Sequence, residues 1–343
     1  MFMPKRFVAT AASVLALVAF APQVEAEIPT VTLRIQDYSP PSGPRYEAIR
    51  WWMDEVTERS GGRITFQEFF GASMVPAGEA LSAVSTGLAD VGMINAGLHP
   101  SQLPLHTMGS LPFGAPTFEA AGRAWMALYD EFPEMTEELE RQGVVALTIQ
   151  GTPSMQLRFR DPVNALEDVR NRRVRTFGLV TRAVEVWGGV PVSMPFPEIY
   201  EGLRLGTIDG AVDYLFTVGP WRLHEVAPHF VFGNFGAFPT QPFIMNKRRW
   251  DELGPEAQAI LLDTARESFD VLVANFNATD DEALGVMEEA GNVVVELSEE
   301  ERAAWLEAAG GQEIWAEWAT ELDGVDADTA RAIADRFLEL ASE

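Results

Sequence analysis

The chain has 343 residues, no cysteine, and 51 acidic against 25 basic residues, a net charge of −26. Disulfides, thiolate metal sites and cysteine nucleophiles are thereby excluded, and nucleic acid and anionic lipid are poor partners for so negative a chain, since both need basic patches. The length allows about two domains, and 47% hydrophobic residues supply real cores.

The first element is an address. Lys5 and Arg6 precede a small-apolar run from Val8 to Ala21, broken by Pro22. Val24-Glu25-Ala26 then offers the small residues that signal peptidase requires. The run is too short to span a bilayer, which needs roughly 18 or more apolar residues. Residues 1–26 therefore read as a signal peptide cleaved after Ala26. Its removal takes Lys5, Arg6 and Glu25 and leaves 23 basic against 50 acidic residues, a net −27. A periplasmic, exported protein is expected.

Beyond the leader, strand and helix patterns alternate. Val31–Gln36 reads as a strand and the loop 38–44 is rich in Pro and Ser. Ile49, Trp52, Met53 and Val56 repeat at helical spacing up to Gly61-Gly62. Ile64, Phe66 and Phe70 predict a strand, Pro76–Thr86 a helix, and Ala89–Ile94 a buried strand. After a helical stretch from Phe118 to Gln142 the alternation resumes. Strands are expected over Val144–Ile149, around Val174, and over Val190–Met194 and Thr207–Val212; helices over Val180–Trp187 and Glu198–Leu205. Such alternation argues α/β units around largely parallel sheets, and it is too extensive for one small lobe. The pattern divides as lobe I over 27–150, completed by about 240–260, and lobe II over 151–239. A helix over 255–290, with Leu261, Ala265, Phe269, Leu272 and Phe276 in step, is long enough to bridge both. Segment 291–343 adds a strand and helices that pack on the lobes, the first helix opened by a Ser298/Glu301 capping box.

Enzyme motifs are missing. There is no G-x-S-x-G, Walker loop or H-E-x-x-H. The histidines are His99, His106, His224 and His229, and the last two are five apart, which does not align them on a helix face. No catalytic residue, metal site or cofactor is assigned.

The informative stretch runs from Leu166 to Tyr214. It holds Glu167-Asp168, Arg173-Val174-Arg175, Pro191-Val192-Ser193-Met194-Pro195-Phe196-Pro197-Glu198-Ile199-Tyr200 and Gly206-Thr207-Ile208-Asp209-Gly210. Elsewhere lie Leu81, Val84, Gly87, Ala89 and Asp90, then Leu111-Pro112-Phe113, and Met245-Asn246-Lys247. In this order the set resembles the DctP-like substrate-binding proteins of tripartite ATP-independent periplasmic (TRAP) transporters, over nearly all of the exported chain. Asn171 stands where that family has glycine, and asparagine tolerates a left-handed turn.

The resemblance implies two α/β lobes with a hinge, closing over an organic acid. It also implies that Arg175 holds the carboxylate, a task that suits a planar guanidinium with two parallel donors. Phe177, two residues on, shares a strand face with Arg175 and is the first pocket-wall candidate, with Tyr214 second. A further arginine contact in some family members falls here on Gln156 or Arg158. Gln241 and Asn246 lie in the crossing region, and Ser39 sits in the loop after the first strand, where open α/β sheets bind ligands. Asp213 replaces a residue that contacts ligand or metal in relatives. It would repel a second carboxylate unless a cation or ligand amine intervened, so a monocarboxylate is expected. The implied partners are the transporter's membrane subunits, and a monomer is expected, since no feature compels a dimer. The rival readings are a binding protein of an ABC transporter or sensor and, further off, an exported enzyme.

Overall fold

The computed structural model describes residues 28–177 and 180–342. The leader 1–26 and its cleavage site lie outside the described residues. Eleven strands occur among the described residues: β1 (Val31–Gln36), β2 (Ile64–Phe69), β3 (Val91–Met93), β4 (Val144–Thr152), β5 (Gln156–Phe159), β6 (Arg173–Thr176), β7 (Val190–Ser193), β8 (Gly210–Asp213), β9 (His229–Phe232), β10 (Phe238–Asn246) and β11 (Val293–Glu296). They form two sheets, β2-β1-β3-β10-β4 and β11-β9-β5-β8-β6-β7, one in each lobe.

Both sheets are mixed rather than largely parallel. β1 runs parallel to β2 and β3, but β10 runs antiparallel to β3 and β4. In the second sheet β6, β7 and β8 are parallel, whereas β5 is antiparallel to both β8 and β9. The reason is topological. The chain passes from lobe I to lobe II between β4 and β5 and returns between β9 and β10, and each crossing delivers an antiparallel strand. β9 and β10 have no counterpart in the sequence pattern. Pro239 and Pro242 lie within β10, and proline removes a ladder donor; the register shifts between Phe238 and Gln241, around Pro239, while Pro242 stays in register opposite Ile149.

Local chemistry moves other boundaries. The helical stretch from Phe118 divides into Phe118–Glu131 and Pro133–Arg141, because Pro133 can only start a helix. The strand expected over Thr207–Val212 begins at Gly210: Gly206 takes φ +71° to end the preceding helix, and Thr207 N–H bonds Gly202 O at 2.9 Å. Asn171 does adopt a left-handed turn, at φ +63°.

The helix Pro255–Glu289 has 35 residues, about 52 Å at 1.5 Å per residue. Leu261 and Ala265 join the lobe I core around Trp52, whose indole N–H bonds Leu261 O at 3.2 Å. Phe269, Leu272 and Phe276 join the central cluster, and Ala283 and Met287 pack with Leu215 and Phe230 of lobe II. One helix thus belongs to both lobes. Three more helices, Glu299–Ala308, Gly311–Glu321 and Ala327–Leu340, close the chain. The expected Ser298/Glu301 capping box opens the first of them. Trp305 packs on Trp187 and Phe235, while Trp315 stacks on Phe337. No helix among the described residues is long and apolar enough to cross a membrane.

Candidate functional site

Two arginines are buried among the described residues, Arg158 and Arg175. In the ladder both stand opposite Ala211, one on β5 and the other on β6. They therefore occupy one row on one face of the sheet, roughly 10 Å apart at two strand spacings.

Arg175 makes no ion pair with any described residue. Its Nε donates to Met194 O at 3.1 Å, which leaves both terminal nitrogens uncommitted. The guanidinium lies over two rings, Phe177 and Phe196, each 5.3 Å from the ring centre. Such stacking contributes about 0.5–2 kcal/mol and stabilises a cation that has lost water. Burial pulls the Arg175 pKa below its usual value, while Tyr214 and Asp213 act through space in the opposite sense. Phe177 continues toward Tyr214, with ring centres 6.5 Å apart, and toward Phe238 at the start of β10, 6.4 Å away. Tyr214 stacks on Phe216, and burial raises its hydroxyl pKa. The structure therefore brings together Arg175, Phe177 and Tyr214, and adds Phe196.

Arg158 is different. Its Nε donates to Asp213 Oδ2 at 2.7 Å, its Nη1 to Ala227 O at 3.1 Å, and its plane lies over Phe230 at 4.7 Å. Asp213 also accepts from Thr217 Oγ1 at 2.6 Å. Both side chains are fully buried. Arg158 and Asp213, both expected to meet the ligand, are instead each other's counter-ion in this structure, so neither offers a free charge beside Arg175. The repulsion argument against a second carboxylate falls with it: the cation that neutralises Asp213 is Arg158 itself. Gln156 is likewise committed. Its Oε1 accepts from the backbone N–H groups of Gly233 and Asn234, both at 2.9 Å, and its Nε2 donates to Asn234 Oδ1 at 2.8 Å. It braces the turn between β9 and β10.

Lobe I contributes a second group. Arg45, in the first turn of helix Pro44–Arg59, donates to Gln241 Oε1 and to Ser39 Oγ. Ser39 N–H in turn bonds Asp37 Oδ1 at 2.7 Å. Tyr38 lies beside Arg45 and Gln241, and burial pushes its hydroxyl pKa up to about 12. Ser39 and Gln241 thus converge at the carboxyl end of β1. Asn246 does not join them. It stands five residues further along β10, caps helix Lys247–Leu253 through Arg249 N–H, and donates to Val84 O and Ser85 O. The structure does not bring it to the Ser39–Gln241 group; it ties helices to the sheet instead.

Arg45 and Phe196 escaped the sequence reading. Arg45 had a signal, since it follows the loop after β1 and precedes the first helix. Phe196 lay inside the most informative motif but gave no sign that its ring would face β6.

A separate cavity of about 350 Å³ opens beside the hinge, lined by Ser154, Gln156, Asn234, Phe276 and Asp280 among others. Arg175 is not part of it. Asp280 Oδ1 is buried there without a hydrogen-bond partner, and burial, then Asp281, raises its pKa to about 7.

Comparison with known proteins adds a family, a relative and two solved structures. Residues 35–321 match the family described as bacterial extracellular solute-binding protein, family 7. The ectoine-binding periplasmic protein TeaA of Halomonas elongata is 27% identical over 53% of this chain and 54% of its own length, so about half of that relative is matched. A TRAP periplasmic solute-binding protein from Desulfovibrio salexigens, solved in an open form, superposes with a TM-score of 0.82 at 22% identity, over 91% of this chain and 96% of that one. A Sulfitobacter protein of the same kind, solved with bound β-D-galacturonate, superposes with a TM-score of 0.69 at 22% identity, over 90% and 100%. At that identity the superpositions establish the fold.

Proposed function

The chain belongs to the bacterial extracellular solute-binding proteins of family 7, and from that premise we propose that it captures an organic acid between its lobes, one carboxylate of which is held by Arg175 as the anion anchor. In this role it works in the periplasm as a monomer and delivers the solute to the membrane subunits of a TRAP transporter. No chemical step is assigned to it. The observation that carries the reading is the Arg175 guanidinium: buried, lying over two rings and without an acidic partner among the described residues. An unpaired buried charge is costly. A carboxylate that meets the two terminal nitrogens supplies the missing counter-ion through parallel charge-assisted bonds, each contributing on the order of 1.5–3 kcal/mol. Phe177 and Tyr214 then wall the solute body. The galacturonate of the Sulfitobacter protein is an acid of this class.

Binding favours closure only by the difference in affinity between open and closed forms. A solute that touches both lobes has that difference built in. The reading is tested by a thermal-shift screen of organic acids against their primary amides. A ligand at 100 times its Kd stabilises the fold by about 2.7 kcal/mol, so an acid should raise Tm where its amide does not. Equal shifts from acid and amide would sink the proposal.

A further inference from the structure

The two rings over the Arg175 guanidinium are held in different ways. Phe177 is backed by Tyr214 and Phe238, both buried. Phe196 is half-buried and lies between two exposed prolines, Pro195 and Pro197. Its ring meets Trp221 edge-to-face, with centres 4.9 Å apart and planes at 72°, an arrangement that aromatic quadrupoles favour. Trp221 is itself 38% exposed, so it covers Phe196 from the solvent side rather than filling a core.

The segment that carries Trp221 is fixed along its length. It consists of two short helical turns, Leu215–Thr217 and Val218–Trp221. Thr217 Oγ1 donates to Asp213, the counter-ion of Arg158. Leu215 and Val218 pack with Ala283 and Met287 of the long helix. Directly after Trp221, Arg222 takes a left-handed conformation at φ +53°, which is costly for a residue with a Cβ. Its Nε donates to Glu225 Oε1 at 2.8 Å, and Tyr200 Oη donates to Glu225 Oε2 at 3.2 Å. A backbone held against its preference next to an exposed tryptophan points to a task for that side chain.

We infer that Trp221 is a positioning residue for the anion anchor: it holds Phe196 over the Arg175 guanidinium and keeps water from that side of the cation. The contacts run from Arg175 to Phe196 at 5.3 Å and from Phe196 to Trp221 at 4.9 Å. Without the indole the Phe196 ring gains rotamers and the guanidinium gains water. Both must be given up again when a carboxylate arrives, so affinity falls although no contact to the solute is lost. A tryptophan that served the fold alone would change stability and leave affinity as it was. This inference rests on the carboxylate-capture reading above.

The test is calorimetric titration of the whole exported chain with lactate, pyruvate, galacturonate, glucuronate and orotate, followed by variants measured with the tightest of these acids. Trp221→Ala should weaken that acid about three- to fivefold, on the scale of one cation–π contact. Trp221→Phe, which keeps a ring against Phe196, should restore affinity to within about 1.5-fold. In a Phe196→Leu background Trp221→Ala should add no more than about 1.5-fold, because the path it acts through is already cut. Gly219→Ala alters the same segment at a site where a Cβ meets open space and should leave affinity unchanged. Should Trp221→Ala fail to fold, Trp221→Leu takes its place in the same cycle. If the Trp221 change leaves affinity intact, or costs as much without Phe196 as with it, the positioning role is refuted while Arg175 capture stands. If none of the five acids binds the unaltered chain, the capture reading falls, and the positioning role with it.

Discussion

Arg158 and Arg175 share a row of one sheet and a face of it, yet they do opposite things. Arg158 has a full set of partners inside the protein: Asp213, a backbone carbonyl and the Phe230 ring. Arg175 has two rings and one carbonyl but no acid. Residue type, strand position and burial are nearly matched, so the counter-ion alone separates a structural cation from one available to a solute. In a chain of net charge −26, keeping an arginine free of acids requires the surroundings to exclude them, and the aromatic seat does so.

The comparison can be broken most severely from the Arg158 side. Asp213→Ala leaves a buried guanidinium without its counter-ion and should cost about 3–5 kcal/mol of stability in urea denaturation. The double change Arg158→Met with Asp213→Leu should cost clearly less than that single change, since it removes both charges.

Asp280 supplies the inverse case, an acid with a buried oxygen and no ion pair among the described residues. Its pKa of about 7 lies above the unfolded value, so the folded chain holds this proton to higher pH than the unfolded chain does. Stability should therefore fall as pH rises from about 4 to about 7 and level off above, by roughly 2–4 kcal/mol. Asp280→Asn should flatten that segment of the pH profile and raise Tm at pH 8. An unchanged profile would show that Asp280 is ionised at ordinary cost.

Smaller effects sharpen the contrast. Thr217→Val removes one donor to Asp213 and should cost about 1–2 kcal/mol, without altering ligand affinity. Phe196→Leu removes one face of the Arg175 seat. It should weaken acid binding by a few-fold, on the scale of about 0.5–1 kcal/mol for a cation–π contact, and leave the unliganded stability nearly unchanged.

Much of this was legible in the sequence. Local periodicity located β1, β2 and the long helix, whose expected apolar positions are all buried. The ordered motifs pointed to Arg175 and, through strand alternation, to Phe177. What sequence could not show was pairing at a distance. Arg158 and Asp213 are 55 residues apart, and only the β5–β8 register brings them together. Gln156 resembles a ligand contact until the β9–β10 turn is seen to wrap around it. Asn246 looks like a cleft residue until β10 proves nine residues long, which carries it to the far end. Arg45 meets Gln241 across 196 positions. The two prolines of β10 hid the strand that arranges this meeting.

The most direct measurement compares Arg175→Met with the unaltered chain for two quantities, the Tm without ligand and the affinity for the tightest-binding acid. The expected result is an unliganded Tm that is equal or higher, since an unpaired buried charge is gone, together with an affinity loss of about 100-fold or more, as two charge-assisted bonds would give. Unchanged affinity, or a collapse in stability like that expected of Asp213→Ala, would contradict the assignment of Arg175 as the open cation of this fold.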